Sequence, residues 1–190
     1  MRKSKKTHDK LFVMAEKFLA STSLKYAYIN FFEKATLEEF KMVDIKEKDN
    51  ILHAGCGSLP NTLISLGKNF KANYFGIDID PEAVEIAKKV VNEYKLDNVI
   101  IEEGDAFTYP LKKFDVIIVS FGLNAKKEFF ERLKNETKND VKIIYRKQWD
   151  FLDFIYGRKD EIPDGFRIMA YHKRRDFIKS YLLEKVKSEK

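Results

Sequence analysis

An apolar run, Ile51-Leu52-His53-Ala54, stops abruptly at Gly55-Cys56-Gly57-Ser58-Leu59-Pro60, and a helical pattern starts directly behind it. A short apolar run bounded by glycines reads as a strand, and proline suits the first turn of a helix, so this segment predicts strand, glycine turn and a helix starting near Pro60. The unit then recurs. Ala72 to Ile77 leads into Asp78-Ile79-Asp80, and Pro81 opens a helix whose Ala83, Val84, Ile86, Ala87 and Val90 share one face, with Asp80 as its N-cap. Further runs follow at Asn98 to Ile101, Phe114 to Ser120 and Val141 to Arg146, with a helix around Ala125 to Leu133 before the last. Strands alternating with helices are covered on both faces, which predicts an α/β fold: a Rossmann-like, doubly wound, seven-stranded, mostly parallel sheet.

Ahead of this pattern, apolar residues from Thr7 to about Val43 recur at helical spacing, as in Leu11, Met14, Ala15, Phe18 and Leu19, then Tyr28, Phe31 and Phe32, then Leu37, Phe40 and Met42. A helical prefix over residues 1–46 is expected, followed by one ligand-binding domain over residues 47–190. The final part reads as a helix, Trp149 to Tyr156, and a strand pair, Phe166 to His172 and Phe177 to Lys185. No repeat or linker divides the chain, and 190 residues suit a single α/β core.

Composition narrows the chemistry. With 44% hydrophobic residues and only 8 Gly and 4 Pro, disorder and collagen-like architectures are excluded. Cys56 is the single cysteine, so an internal disulfide and a cysteine-built metal site are excluded too, and no metal is expected. Met1 to Lys10 is basic but is not followed by an apolar stretch ending in small residues of the kind a secretory leader needs, and no run approaches the roughly 20 apolar residues of a membrane span. A soluble, cytoplasmic protein with no membrane partner is expected. The net charge of +6 favours anionic partners without selecting one, and its basic residues are scattered among acids.

In a doubly wound sheet the ligand lies outside the carboxyl ends of the strands, and the first loop is its cradle. Glycines belong there because a Cβ would collide with a ligand lying against the backbone. The third glycine of the dinucleotide fingerprint is missing, and Pro60 stands in its place. Asp78, about twenty residues after the loop, is placed to accept hydrogen bonds from ribose hydroxyls. Asp105, in Glu103-Gly104-Asp105-Ala106-Phe107, is placed to accept from the exocyclic amine of an adenine. An acid after each strand, with a loop short of phosphate-binding glycines, fits S-adenosylmethionine better than a dinucleotide. The residues expected at this cofactor are His53, Gly55, Cys56, Gly57, Pro60, Asp78, Ile79, Asp105, Ala106 and Phe121.

From Asn50 to about Arg146 the sequence resembles the class I S-adenosylmethionine-dependent methyltransferases. The resemblance implies that the glycine loop packs on the methionine part of the cofactor, Asp78 holds the ribose and Asp105 meets the adenine. A narrower resemblance runs to the nicotianamine synthases and their microbial relatives. It is carried by Gly55, Gly57, Leu59 and Pro60, by Tyr26, Tyr28, Asn30, Leu37 and Glu38, by Arg146 and Tyr156, and by Tyr171, His172 and Ser180. Those enzymes move the 3-amino-3-carboxypropyl group of the same cofactor onto an amine. The present chain is shorter, lacks most of their N-terminal helical domain, and carries Lys147-Gln148-Trp149-Asp150 after the arginine in place of their Ser-Ala-His-Gly.

Substrate contacts are expected at the strand ends, from Phe121, Asn124, Tyr145, Arg146, Tyr171 and His172. The catalytic candidates are Glu38, to bind or deprotonate an amine, Arg146, to hold a carboxylate in a bidentate pair, and Tyr28, facing the methionine end. A methyltransferase acting on a small-molecule acceptor is the expected function, with aminocarboxypropyl transfer as the alternative. An RNA or DNA substrate is disfavoured, because Ser120-Phe121-Gly122-Leu123 is not the Asn-Pro-Pro-aromatic grip on a flipped base. The aromatic-rich prefix, with Tyr26, Tyr28, Phe31, Phe32 and Phe40, is a lid or a homodimer face.

Overall fold

The computed structural model describes residues 7–123, 126–148, 162–174 and 178–186. The expected helix at Trp149 to Tyr156, and the expected contacts Asn124 and Tyr156, lie outside these residues. The prefix forms α1 (Thr7–Ser21) and α2 (Leu24–Phe40). The alternating part follows as β1 (Asn50–Ala54), α3 (Asn61–Asn69), β2 (Asn73–Asp78), α4 (Pro81–Glu93), β3 (Val99–Glu103), β4 (Val116–Val119), α5 (Lys126–Glu136) and β5 (Lys142–Gln148). The chain then adds β6 (Phe166–Lys173) and β7 (Ile178–Lys185). Among the described residues no helix is long and apolar enough to cross a membrane.

The strands form one seven-stranded sheet in the order β3-β2-β1-β4-β5-β7-β6. The first five strands pair in parallel, and β7 inserts between β5 and β6, antiparallel to both. This is the expected doubly wound, mostly parallel sheet preceded by helices. Its central strands read as unbroken apolar runs because both faces are covered: Ile51, Val116, Ile118 and Ile144 join a core with α2, α3 and α4, whereas Leu52, Ile117, Val119 and Ile143 join one with α5.

Local signals set the helix starts. Asp80 Oδ1 accepts from the backbone N–H groups of Glu82 at 3.0 Å and Ala83 at 3.4 Å, directly ahead of Pro81. In α2 the period of 3.6 turns Ile29, Thr36, Glu39 and Phe40 inward, and the helix packs on α3 while α1 packs on α4. Complete burial of Ile29 and Phe40 contributes roughly 1.5–3 kcal/mol each to docking α2.

The register places one row of residues along the carboxyl edge. Ala54 pairs with both Ile77 and Val119, Asp78 with Glu103, Val119 with Tyr145, and Arg146 with Ser180. Asp78, Gly55, Ser120, Arg146 and Ser180 therefore follow one another across this edge, where the crossover connections leave the sheet.

Candidate functional site

Gly55 and Gly57 both adopt the left-handed conformation, at φ of 76° and 70°, which any side chain would strain. The backbone N–H groups of Gly55 and Cys56 donate to the carbonyl of Ile77 at 2.8 and 3.0 Å, binding the loop to the end of β2. Gly57 N–H donates to Asp78 Oδ2 and Asp80 N–H to Asp78 Oδ1, each at 3.0 Å. A carboxylate offers about four lone-pair directions and these bonds use one on each oxygen. Asp78 is half-buried and keeps lone pairs beyond these two bonds. The next loop is tied to the same place: Gly104 N–H donates to the carbonyl of Asp78 at 2.9 Å, and Asp105 Oδ1 receives Phe107 N–H at 3.0 Å. Ala106 is buried behind Asp105, and Ile79 is exposed beside Asp78.

Under the loop, Ser120 Oγ donates to the carbonyl of Gly55 at 2.6 Å and lies 2.8 Å from His53 Nε2. A hydroxyl has one proton, already given to Gly55, so Nε2 carries its own proton and Nδ1 is the bare nitrogen. Nδ1 is buried with no hydrogen-bond partner among the described residues. Burial, reinforced by repulsion from Arg146, pushes the His53 pKa down to about 3, so the ring is neutral at pH 7. Burial likewise raises the Cys56 thiol well above its ordinary value, which keeps it protonated and unreactive.

The centre of the site on the α2 side is ionic. Glu39 is fully buried and takes both arms of Arg146, with Nε to Oε1 at 2.8 Å and Nη2 to Oε2 at 2.6 Å. Arg174 Nη1 donates to Oε2 at 2.7 Å, Ser180 donates to Oε1, and the third arm of Arg146 reaches Thr62 Oγ1 at 2.9 Å. Burial alone would raise the Glu39 pKa, but the charge and hydrogen bonds of Arg146, with Arg174 and Ser180, hold it down to about 2. Arg146, expected to hold a carboxylate of the substrate, instead gives its bidentate pair to Glu39 of the protein itself.

From α1, Glu16 lies on the glycine loop, with Oε1 accepting from Leu59 N–H at 2.9 Å and Ser58 Oγ at 3.3 Å. Lys17, its neighbour, pairs with Asp80 at 2.8 Å and Glu82 at 2.6 Å on the start of α4. Neither Glu16 nor Glu39 was a sequence candidate. The helical period that turns Ile29, Thr36 and Phe40 inward was the available signal for Glu39; nothing local signalled Glu16.

The other candidates are dispersed. Glu38, about 100° around α2 from Glu39, shares an outward stripe with Asn30, Glu33, Lys34, Leu37 and Lys41. Tyr28 packs its ring on Phe32 at 4.6 Å. Tyr145 is buried on the α5 side against Phe130, at 5.1 Å between ring centres, while Tyr171 is exposed on β6. Phe121 follows β4, with the Lys126 ammonium 5.4 Å above its ring. Pro60 is buried at the start of α3.

Fold and loop together define a doubly wound domain of the class I methyltransferase type, with its ligand cradle at the β1–α3 turn. Residues 45–170 match the family model described as a methyltransferase domain, and the chain belongs to that family. No curated protein matches the sequence. Among solved structures, a glutamate-to-glutamine variant of MtNAS, a nicotianamine synthase, in complex with S-adenosylmethionine superposes with a TM-score of 0.77 at 21% identity, covering 92% of this chain and 72% of that one. An RNA methyltransferase from Salinibacter ruber, in complex with S-adenosyl-L-homocysteine, has a TM-score of 0.64 at 18% identity over 83% of this chain and 93% of its own. The mitomycin 7-O-methyltransferase MmcR reaches 0.67 at 13% identity over 88% and 60%. At these identities the likeness is one of fold.

Proposed function

We propose that the chain is an S-adenosylmethionine-dependent methyltransferase acting on a small-molecule acceptor. The observation that carries this reading, beside family membership, is the bond from Gly57 N–H to Asp78, which joins the glycine turn to a carboxylate with lone pairs to spare. That arrangement fits the cofactor: Gly55 and Gly57, through their left-handed φ, turn the loop so that its backbone meets the methionine part, and Asp78 accepts from the ribose hydroxyls. Asp105, Ala106 and Ile79 line the adenine end, and His53, Cys56, Pro60 and Phe121 complete the surround. The cofactor supplies a carbon on a sulfonium, already activated toward a nucleophile.

The chain's own work is alignment, since holding two reactants at attack geometry supplies much of the rate. His53 and Ser120 brace the carbonyl of Gly55. Arg146 acts through Glu39 as a positioning residue, seating α2 beside the cleft so that water is kept from the reacting atoms.

A second reading, transfer of the 3-amino-3-carboxypropyl group, is supported by one observation: the superposition on MtNAS has a TM-score of 0.77, against 0.67 and 0.64 for the two methyltransferases. Mass spectrometry of the spent cofactor separates the two, S-adenosylhomocysteine marking methyl transfer and 5′-methylthioadenosine marking the alternative. Methylation of structured RNA that persists at physiological salt would replace the small-molecule acceptor with a nucleic acid.

A further inference from the structure

Glu16 reaches the glycine loop from outside the sheet. A Cβ built on Gly57 would stand 2.3 Å from Glu16 Oε1 and 3.1 Å from Oε2, so the carboxylate touches the glycine itself. On the other side of the same residue, Gly57 N–H bonds to Asp78 at 3.0 Å. Two carboxylates therefore flank one glycine, and among the described residues neither forms an ion pair.

Three sheltered acids elsewhere do have counter-ions. Glu39 has Arg146 and Arg174, Glu33 has Lys68, and Asp115 has Lys138. The nearest cation of α1, Lys17, is directed to Asp80 and Glu82 instead. Burial raises the Glu16 pKa above its ordinary value, and Asp78 adds to the effect. A sheltered carboxylate without a counter-ion is costly, and a ligand that brings a cation offsets the cost. Two carboxylates beside Gly57 favour a cationic group such as an ammonium next to them.

We infer that Glu16 is a cofactor-binding residue: its carboxylate receives the ammonium on the amino-acid tail of the cofactor, and α1 is one wall of the cofactor site. The inference rests on the cofactor reading above and adds a residue from the prefix to it. It also gives α1 a role beyond packing, because docking through Lys17 on α4 delivers Glu16 to the loop.

The test is calorimetry on the full chain, wild type and Glu16→Gln, with two probes. S-adenosylhomocysteine carries the ammonium; 5′-methylthioadenosine has the same nucleoside and no amino-acid tail. Glutamine keeps an oxygen for Leu59 N–H, so the loop retains its hydrogen bond. Glu16→Gln is expected to weaken S-adenosylhomocysteine by roughly 10- to 100-fold, the scale of a hydrogen bond to a charged group, while 5′-methylthioadenosine binds both proteins within about twofold. Equal binding of S-adenosylhomocysteine to both proteins removes Glu16 from the site and leaves the cofactor reading standing. Tighter binding to the variant makes Glu16 a plug that the cofactor displaces, and equal weakening of both probes makes it a support of the loop; either result overturns the inference. If wild type binds neither probe, the cofactor reading fails and the inference falls with it.

Discussion

Glu39 and Arg146, 107 residues apart in sequence, meet through two parallel hydrogen bonds of 2.8 and 2.6 Å in the interior between α2 and the end of β5. The pair joins the helical prefix to the carboxyl edge of the sheet. Taking both charges out of water is expensive, and the bidentate geometry, with Arg174, Ser180 and Thr62 closing the remaining bonds, offsets that cost. The consequences follow in stability, in pH dependence and in the cleft beside it.

Arg146→Met leaves Glu39 buried beside one fewer cation. A loss of about 3–5 kcal/mol is expected in urea unfolding, the usual effect of breaking a buried pair from one side. Glu38→Gln, one position along the same helix but on its outward stripe, is expected to stay within about 0.5 kcal/mol of wild type. Equal effects from the two substitutions would mean that α2 is rotated from the orientation described.

Stability is expected to fall as acid is added, in two overlapping windows. His53 titrates ordinarily near 6.5 and in the folded protein near 3, so between these values the unfolded chain binds a proton that the folded chain does not. Stability is therefore lost as pH drops from about 6.5 toward 3. Glu39 falls from 4.5 to about 2, and its contribution, present above 4.5, is lost between those values. Unfolding free energies measured from pH 7 to 4.5 should decline by up to ~1.4 kcal/mol per pH unit for one linked proton, and His53→Asn should flatten this upper limb. An unchanged slope in the variant would show that His53 is solvated.

Asp78→Ala is expected to weaken S-adenosylhomocysteine binding by about 1.5–3 kcal/mol in calorimetry, the cost of removing a charged acceptor. The same change removes the acceptor of Gly57 and Asp80 N–H, so melting temperature should be read alongside. Unaltered affinity would take Asp78 out of the site.

Gly57→Ala puts a side chain where φ is 70° and where Glu16 Oε1 stands at 2.3 Å. The left-handed conformation costs about 1–2 kcal/mol for an L residue, and displacing Glu16 adds to it. Because two effects are combined, the substitution should cost less in a Glu16→Ala background than in wild type, and a double-mutant cycle on unfolding free energies measures the difference. Strict additivity would show that Glu16 does not rest on Gly57.

The alternating units were legible because their signals are local. The apolar run from Ile51 to Ala54 closes on glycines, Asp80 and Pro81 start α4, and Asp78 ends its strand whatever the rest of the chain does. The fold class, the glycine loop and the acids after β2 and β3 all follow from such short-range chemistry. What tertiary packing decided lies at long separations. The rotation of α2 selects Glu39 over its neighbour Glu38 for Arg146, and it is set by Ile29 and Phe40 settling against the sheet. The docking of α1 on α4 selects Glu16 for the loop, through contacts of Lys17 that no sequence spacing encodes. β7 entered the sheet between β5 and β6, where Ser180 completes the Glu39 cluster, because antiparallel pairing on both its edges was open to it there. A helix carries its whole polar circumference in its sequence, and only the partner it packs against determines which of those side chains is buried.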